Sequence, residues 1–220
     1  MFRAVLIGAA ATLTAAVLAP STAPAPAPAD AGADPQGRVT INLVQVNGSG
    51  CRPGSATVAV APDNTAFTVT YSEYLAQVGQ GAKPTDFRKN CQLGLRVNVP
   101  QGYTYAVVQA DYRGFADLER GASATQKASY YFQGTSGTDR RSHAFRGPYK
   151  GDWQASDRTG LEALIFAPCG VTRNFNINTE VLVNAGSSDT SKTNSFMTMD
   201  SSDGSFNTKY HFSWKKCPTR

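Results

Sequence analysis

Asn174-Phe175-Asn176-Ile177-Asn178-Thr179-Glu180-Val181-Leu182-Val183 is the stretch that decides the fold. Phe175, Ile177, Thr179, Val181 and Val183 alternate with Asn174, Asn176, Asn178, Glu180 and Leu182. A period of two sends successive side chains to opposite faces of an extended chain. The segment therefore reads as a strand with one face on a core and the other in water.

The same period recurs on either side. Leu93, Leu95, Val97 and Val99 alternate with Gly94, Arg96 and Asn98. Phe67, Val69 and Tyr71 alternate with Thr68 and Thr70, and Tyr210, Phe212 and Trp214 with Lys209, His211, Ser213 and Lys215. Residues 39–46, 56–60 and 161–166 read as further strands, the last nearly all apolar and so expected at the centre of a sheet. Residues 103–115 form a long β-rich run that 129–133 continues. No stretch of ten or more residues shows helical period and caps; at most, 74–78 makes one short helical turn. Asn47-Gly48-Ser49-Gly50, Pro62-Asp63-Asn64, Pro100-Gln101-Gly102, 134–137, Asn184-Ala185-Gly186 and Asp203-Gly204 favour reversals or positive φ. Short strands at this spacing predict an all-β fold, an antiparallel β-sandwich of jelly-roll-like form.

Cys51, Cys91, Cys169 and Cys217 are an even set, fit for oxidation. Four cysteines allow three pairings. Neighbour pairing, Cys51–Cys91 with Cys169–Cys217, is expected because each pair then encloses one compact block of strands. A zinc site would need clustered ligands, and these cysteines are far apart.

The N-terminus points outside the cell. Met1-Phe2-Arg3 is a short basic start, and Ala4 to Ala19 is a small-residue apolar run of signal-peptide length, short for a membrane span. Cleavage sites of small-x-small form end at Ala23, Ala29 and Ala33. The expected organisation is a signal peptide over 1–29, an Ala/Pro-rich disordered segment over 30–37, and one secreted domain over 38–220, with no membrane anchor. Some 185 residues are enough to bury a real core. Cleavage after Ala33 removes one base, Arg3, and one acid, Asp30, so the net charge stays at +5. The charge is mild and dispersed. Nucleic-acid binding needs a basic stripe on a recognisable module, and none is present, so no nucleic-acid partner is expected.

Longer stretches carry a family likeness. They are VNGSGCRPGSATVAVAPDNTAFTVTYSEYLA (46–76), DFRKNCQLGLRVNVPQGYTYAV (86–107), DYRGFADLERG (111–121), YYFQG (130–134), SFMTMDSSDG (195–204) and HFSWKKC (211–217). Through them the chain resembles the secreted domain-of-unknown-function family 4360, found in filamentous actinobacteria among others. The resemblance implies a bacterial, secreted, β-rich module with paired cysteines. It supplies no agreed activity and no catalytic residues.

The chemistry-bearing residues form no catalytic constellation. His211 shares a strand face with Lys209 and Lys215, and His143 falls in the loop-like basic stretch Arg140-Arg141-Ser142-His143. A Ser–His–Asp triad would have to be assembled from distant positions, and no Gly-x-Ser-x-Gly elbow exists. Paired carboxylates for glycoside hydrolysis would have to come from Asp111, Asp117, Glu119, Glu162 and Glu180. Asp200-Ser201-Ser202-Asp203-Gly204 hints at calcium, but an ordinary Asp-Gly turn explains it, and no metal site is expected.

Binding is the better expectation. Asn174, Asn176 and Asn178 point the same way about 7 Å apart, and Glu180 follows on that face. Amides both donate and accept, which suits sugar hydroxyls. Tyr103 and Tyr105 share a face, and Trp153 lies in polar surroundings, where exposed rings stack on sugars. The expected function is a monomeric, non-catalytic extracellular binding module for cell-wall or environmental polysaccharide, without cofactor. A secreted protein-binding or protease-inhibitor-like domain is the first alternative, and an extracellular hydrolase the second.

Overall fold

The computed structural model of the protein describes residues 35–199 and 207–218. The expected leader and the expected Asp-Gly turn at 200–204 therefore lie outside the described residues, as does most of the Ala/Pro-rich segment.

Among the described residues twelve strands follow one another: β1 (Thr40–Asn47), β2 (Ala56–Val60), β3 (Ala66–Tyr71), β4 (Leu75–Gly79), β5 (Arg88–Asn98), β6 (Tyr103–Leu118), β7 (Ser123–Phe132), β8 (Asp139–Arg146), β9 (Tyr149–Arg158), β10 (Asn174–Asn184), β11 (Asn194–Thr198) and β12 (Thr208–Lys216). The hairpin β7·β8 is the midpoint of a long double ribbon. From it, β6 pairs β9, β5 pairs β10, β4 pairs β11 and β3 pairs β12, all antiparallel. The ribbon then winds on itself, bringing β10 beside β7, and β12 and β11 beside β6. That winding is a jelly roll. It yields a five-stranded sheet, β1-β5-β10-β7-β8, and a seven-stranded sheet, β2-β3-β12-β6-β11-β4 with β9 paired to β6.

Alternation places the inner faces as the sequence leads one to expect. Leu93, Leu95, Phe175, Ile177, Val181, Phe67, Val69, Tyr210 and Trp214 are all buried. Each large apolar side chain removed from water contributes about 1.5–3 kcal/mol before chain entropy is subtracted. Tyr105 stands at the middle of an aromatic cluster, with ring centroids 5.5 Å from Phe132 and 5.6 Å from Phe212.

Turn chemistry performs as predicted at Asn64, which takes φ 59°, a left-handed conformation that Asn tolerates. Its side chain accepts from Val39 N at 3.2 Å and donates to Gly37 O at 2.8 Å, tying the start of the described chain to the β2–β3 turn. Gly114 allows a close approach. A Cβ there would lie 1.9 Å from Thr198 O and 2.8 Å from the Trp153 ring.

The disulfides join the expected neighbours, Cys51–Cys91 with Cα atoms 5.3 Å apart and Cys169–Cys217 at 5.8 Å. Closing loops of this length is worth about 4 kcal/mol each in the chain-entropy picture.

Three local expectations fail. Residues 161–166 are not a central strand. Leu161–Ala163 is a single 3-10 turn, with Leu161 78% exposed, and the rest is a strap across the sandwich end. The strap is anchored where Ala167 N donates to Tyr105 O and Thr104 Oγ1 donates to Ala167 O. An apolar run marks a need for burial, not a ladder partner. Residues 75–79 form a strand instead of a helical turn, because β11 supplies a partner. Arg140-Arg141-Ser142-His143 is likewise strand rather than loop, the edge strand β8.

Candidate functional site

The outer face of the five-stranded sheet carries the Asn row. Register sets its neighbours: Asn174 lies opposite Arg96, Asn176 between Gly94 and Tyr131, Asn178 between Gln92 and Ser129, and Glu180 between Asn90 and Lys127. Ser129 in turn faces Arg140 on β8. Asn90, Gln92, Lys127, Ser129, Arg140, Asn178 and Glu180 line a polar depression of about 350 Å³ across β5, β10, β7 and β8; Asn174, Asn176 and Tyr131 lie outside it.

On this face the amides are unequally committed. Asn176 is only 8% exposed and turns its amide toward Asn174 O at 3.5 Å. Asn178 Oδ1 is shielded from solvent and has no protein hydrogen-bond partner. Gln92 Nε2 reaches the Tyr131 hydroxyl at a long 3.5 Å. Glu180 is held firmly: Arg88 Nε donates at 2.5 Å and Lys127 Nζ at 2.9 Å. Burial pushes its carboxyl up, but the hydrogen bonds and charges of Lys127 and Arg88 outweigh that and hold it below the ordinary range. Glu180 is thus an ionised organiser of two cations, not a proton donor.

The aromatic candidates are placed elsewhere. Tyr105 is 3% exposed in the central cluster, so its ring faces are covered by other rings. Trp153 is also 3% exposed; it packs on Phe145 and donates Nε1–H to Thr198 O at 3.1 Å. Polar neighbours in sequence misled at Trp153, because β9 alternates and only its even positions face out. Tyr103 is half-buried at the far end of the sandwich, in a hollow beside Cys169–Cys217, away from the Asn row. Tyr131 is the half-exposed ring beside the Asn row.

Both histidines meet aspartates. His143 Nε2 lies 2.6 Å from Asp157 Oδ1, and Asp157 also accepts from the Tyr130 hydroxyl, which bonds Tyr112. Asp157 is almost wholly buried, and His143 sits at the seam where edge strands β8 and β9 meet. Burial, reinforced by neighbouring phenols and the Asp157 charge, drives the Tyr112 and Tyr130 hydroxyls well above their ordinary range. His211 Nε2 lies 2.9 Å from Asp111 Oδ2, while Ser156 Oγ donates to Asp111 Oδ1 at 2.6 Å. Here the carboxylate stands between Ser and His, so the serine donates its hydrogen bond to Asp111 and not to the imidazole, the reverse of a triad's order. Asp117 is engaged by Lys150, as Glu180 is by its cations. Among the described residues no group of three or more His, Cys, Asp or Glu converges as metal ligands would.

Arg88, Gln92, Lys127, Ser129, Tyr131 and Arg140 belong to this face, yet no signal in the Asn174–Val183 stretch points to them. They join it only through strand register.

Fold and site together define a disulfide-stapled jelly-roll sandwich with a polar, cation-bearing sheet face. The chain belongs to the family described as domain of unknown function (DUF4360), which it matches over residues 37–217. It is 34% identical over 180 residues to a protein of Arthroderma benhamiae described as an uncharacterized secreted protein, covering 82% of this chain and 72% of that one. That relative is fungal rather than bacterial. Two disulfides fit the same oxidising, extracellular setting. Among solved structures, the enzymatically active domain of the bacteriophage CBA120 tailspike protein 4 aligns with 82% of this chain at 9% identity and a TM-score of 0.25; the chain spans 19% of it.

Proposed function

We propose that the chain is secreted, with its leader removed, and that its 38–220 domain acts as a monomeric, non-catalytic module binding cell-wall or environmental polysaccharide. The ligand lies in the polar depression on the outer face of β5, β10, β7 and β8. The observation that carries this is Asn178. Its Oδ1 is shielded and unpartnered at the floor of the depression, flanked by the Gln92 and Ser129 side chains. A buried acceptor without a donor is costly, and a sugar hydroxyl supplies that donor. The half-exposed Tyr131 ring borders the same row and offers a stacking surface. Jelly rolls also serve as lectin domains, which is analogy of fold alone.

The test is depletion of the oxidised protein from solution by insoluble chitin, cellulose and purified peptidoglycan. Retention by one polymer that Asn178→Ala weakens by about tenfold, the worth of a well-made hydrogen bond in a shielded site, supports the proposal. Retention by none, or retention indifferent to Asn178→Ala, ends it and shifts attention to a secreted protein partner.

A further inference from the structure

The charge on this sheet face is one-sided. Alternation and burial assign to it Arg88 and Arg96 of β5, Lys127 of β7, and Arg140 and Arg146 of β8. Against these five cations stands one carboxylate, Glu180 of β10. β1, which borders β5, adds no charge. The outer face of the other sheet is different. There Asp111, Asp117 and Asp152 are interspersed with the cations, and Asp117 and Asp111 engage Lys150 and His211.

Register lays the cations out as a diagonal. Arg88 is opposite Leu182, Glu180 opposite Lys127, and Arg140 opposite Ser129, so the line crosses β5, β10, β7 and β8 in turn. Three inter-strand spacings across and four residues of rise along the strands make it about 20 Å long. Glu180 fixes two of these cations, Arg88 and Lys127, without exhausting them. A guanidinium has five N–H donors and an ammonium three, and one carboxylate uses only some of each. Among the described residues Arg140, Arg96 and Arg146 take part in no ion pair. Neutral groups, Asn178, Gln92, Asn90 and Ser129, fill the spaces along the line.

Resting on the polysaccharide reading above, we infer that the ligand of this face is an anionic glycan, a chain whose sugars carry carboxylate or phosphate groups. Its acidic groups meet Arg140 and the spare donors of Lys127 and Arg88, and its hydroxyls meet Asn178 and Gln92. Arginine matches carboxylate and phosphate oxygens with paired N–H donors, whereas a neutral glycan leaves these cations without function. Net charge alone would attract polyanions to any face; the diagonal restricts them to one.

The test is a titration of the oxidised full-length secreted protein with polygalacturonate, a purified wall teichoic acid and neutral dextran, at low and moderate salt. Arg140→Gln and Arg113→Gln are compared, the second removing the same charge from the outer face of β6. Neither side chain makes a bond within the described fold, so both variants are expected to fold, which melting curves verify. The expected result is binding to an acidic glycan, weakened about tenfold by Arg140→Gln and unchanged by Arg113→Gln. Preference between the carboxylate and phosphate polymers names the source. Equal loss in both variants, or binding abolished by moderate salt, means diffuse attraction and overturns the inference. Dextran bound as tightly as the acidic polymers, and sensitive to Asn178→Ala, overturns the inference but keeps the polysaccharide reading. Binding of none of the three, with chitin, cellulose and peptidoglycan also unbound, overturns both.

Discussion

Replacing Asp157 by Ala strikes the polar seam that closes the sandwich between β8 and β9. Asp157 is almost wholly buried, accepts from the Tyr130 hydroxyl, and pairs with His143 Nε2 at 2.6 Å. Hydrogen bonds to a buried charge are worth about 1.5–3 kcal/mol each, so two set a span of about 3–6 kcal/mol. The His143 side chain keeps 30% of its surface exposed, so water replaces part of its lost partner. Tyr130 is buried away from water and is left with only the Tyr112 hydroxyl as a partner. A loss of about 3–4 kcal/mol follows, at the lower end of what breaking a buried pair costs. For a chain of this size, a melting point lower by about 10 °C is expected. Urea and thermal melts followed by circular dichroism at neutral pH measure it, with Tyr130→Phe and the double variant completing a cycle. The two residues share one hydrogen bond, so the cycle is expected to close with a coupling of about 1–2 kcal/mol. A loss under about 1 kcal/mol for Asp157→Ala, or strictly additive effects, would refute the idea that the seam is held by this network.

Three further outcomes follow from the same coordinates. The Asp86 carboxyl is drawn down to about 2 by hydrogen bonds from Lys89 and from Lys83 N, and Glu180 is also lowered. Folded-state values below unfolded ones give stability that is present above about pH 4, so melting points are expected to be level from pH 5 to 7 and to fall as pH drops from about 4 to 2. A melting point rising in that acid range contradicts the assignment. Of the nine tyrosines, Tyr71, Tyr74, Tyr105, Tyr112, Tyr130 and Tyr210 are buried, and burial pushes Tyr71 up to about 12. Raised phenol values give stability present below about pH 10 and lost above it, so absorbance near 295 nm is expected to show the buried phenols ionising only as the fold opens. All nine titrating together near 10 in native protein would contradict the core. Gly114→Ala drives a Cβ into Thr198 O and the Trp153 ring, and a loss of about 2–3 kcal/mol is expected by urea melt, the cost of overpacking. An unchanged midpoint would show that β11 yields freely.

The strand-bearing character of the chain was legible residue by residue. Alternation at Phe175 to Val183, Leu93 to Val97 and Tyr210 to Trp214 marks the inner faces correctly, since burial of every second side chain is a local demand. Neighbour pairing of the cysteines was equally legible. The edge strands β8 and β9 were not, because at the sandwich margin their inner faces are half polar and weaken the pattern. The site divided in the same way. Asn178 and Glu180 could be named from alternation, whereas Tyr105 and Trp153 could not be told from exposed rings, since a buried aromatic and a ligand-stacking one occupy identical positions in a strand pattern.

By itself, then, the sequence determined what each strand hides and shows, because side-chain direction depends only on the extended backbone. Only the tertiary structure decided which strands lie side by side. Arg88, Lys127 and Arg140 come from three strands, and two of them meet Glu180 through a register fixed by the winding of the ribbon. The pairing energy that sets this register is shared across whole ladders and core layers, and no short stretch of residues contains it.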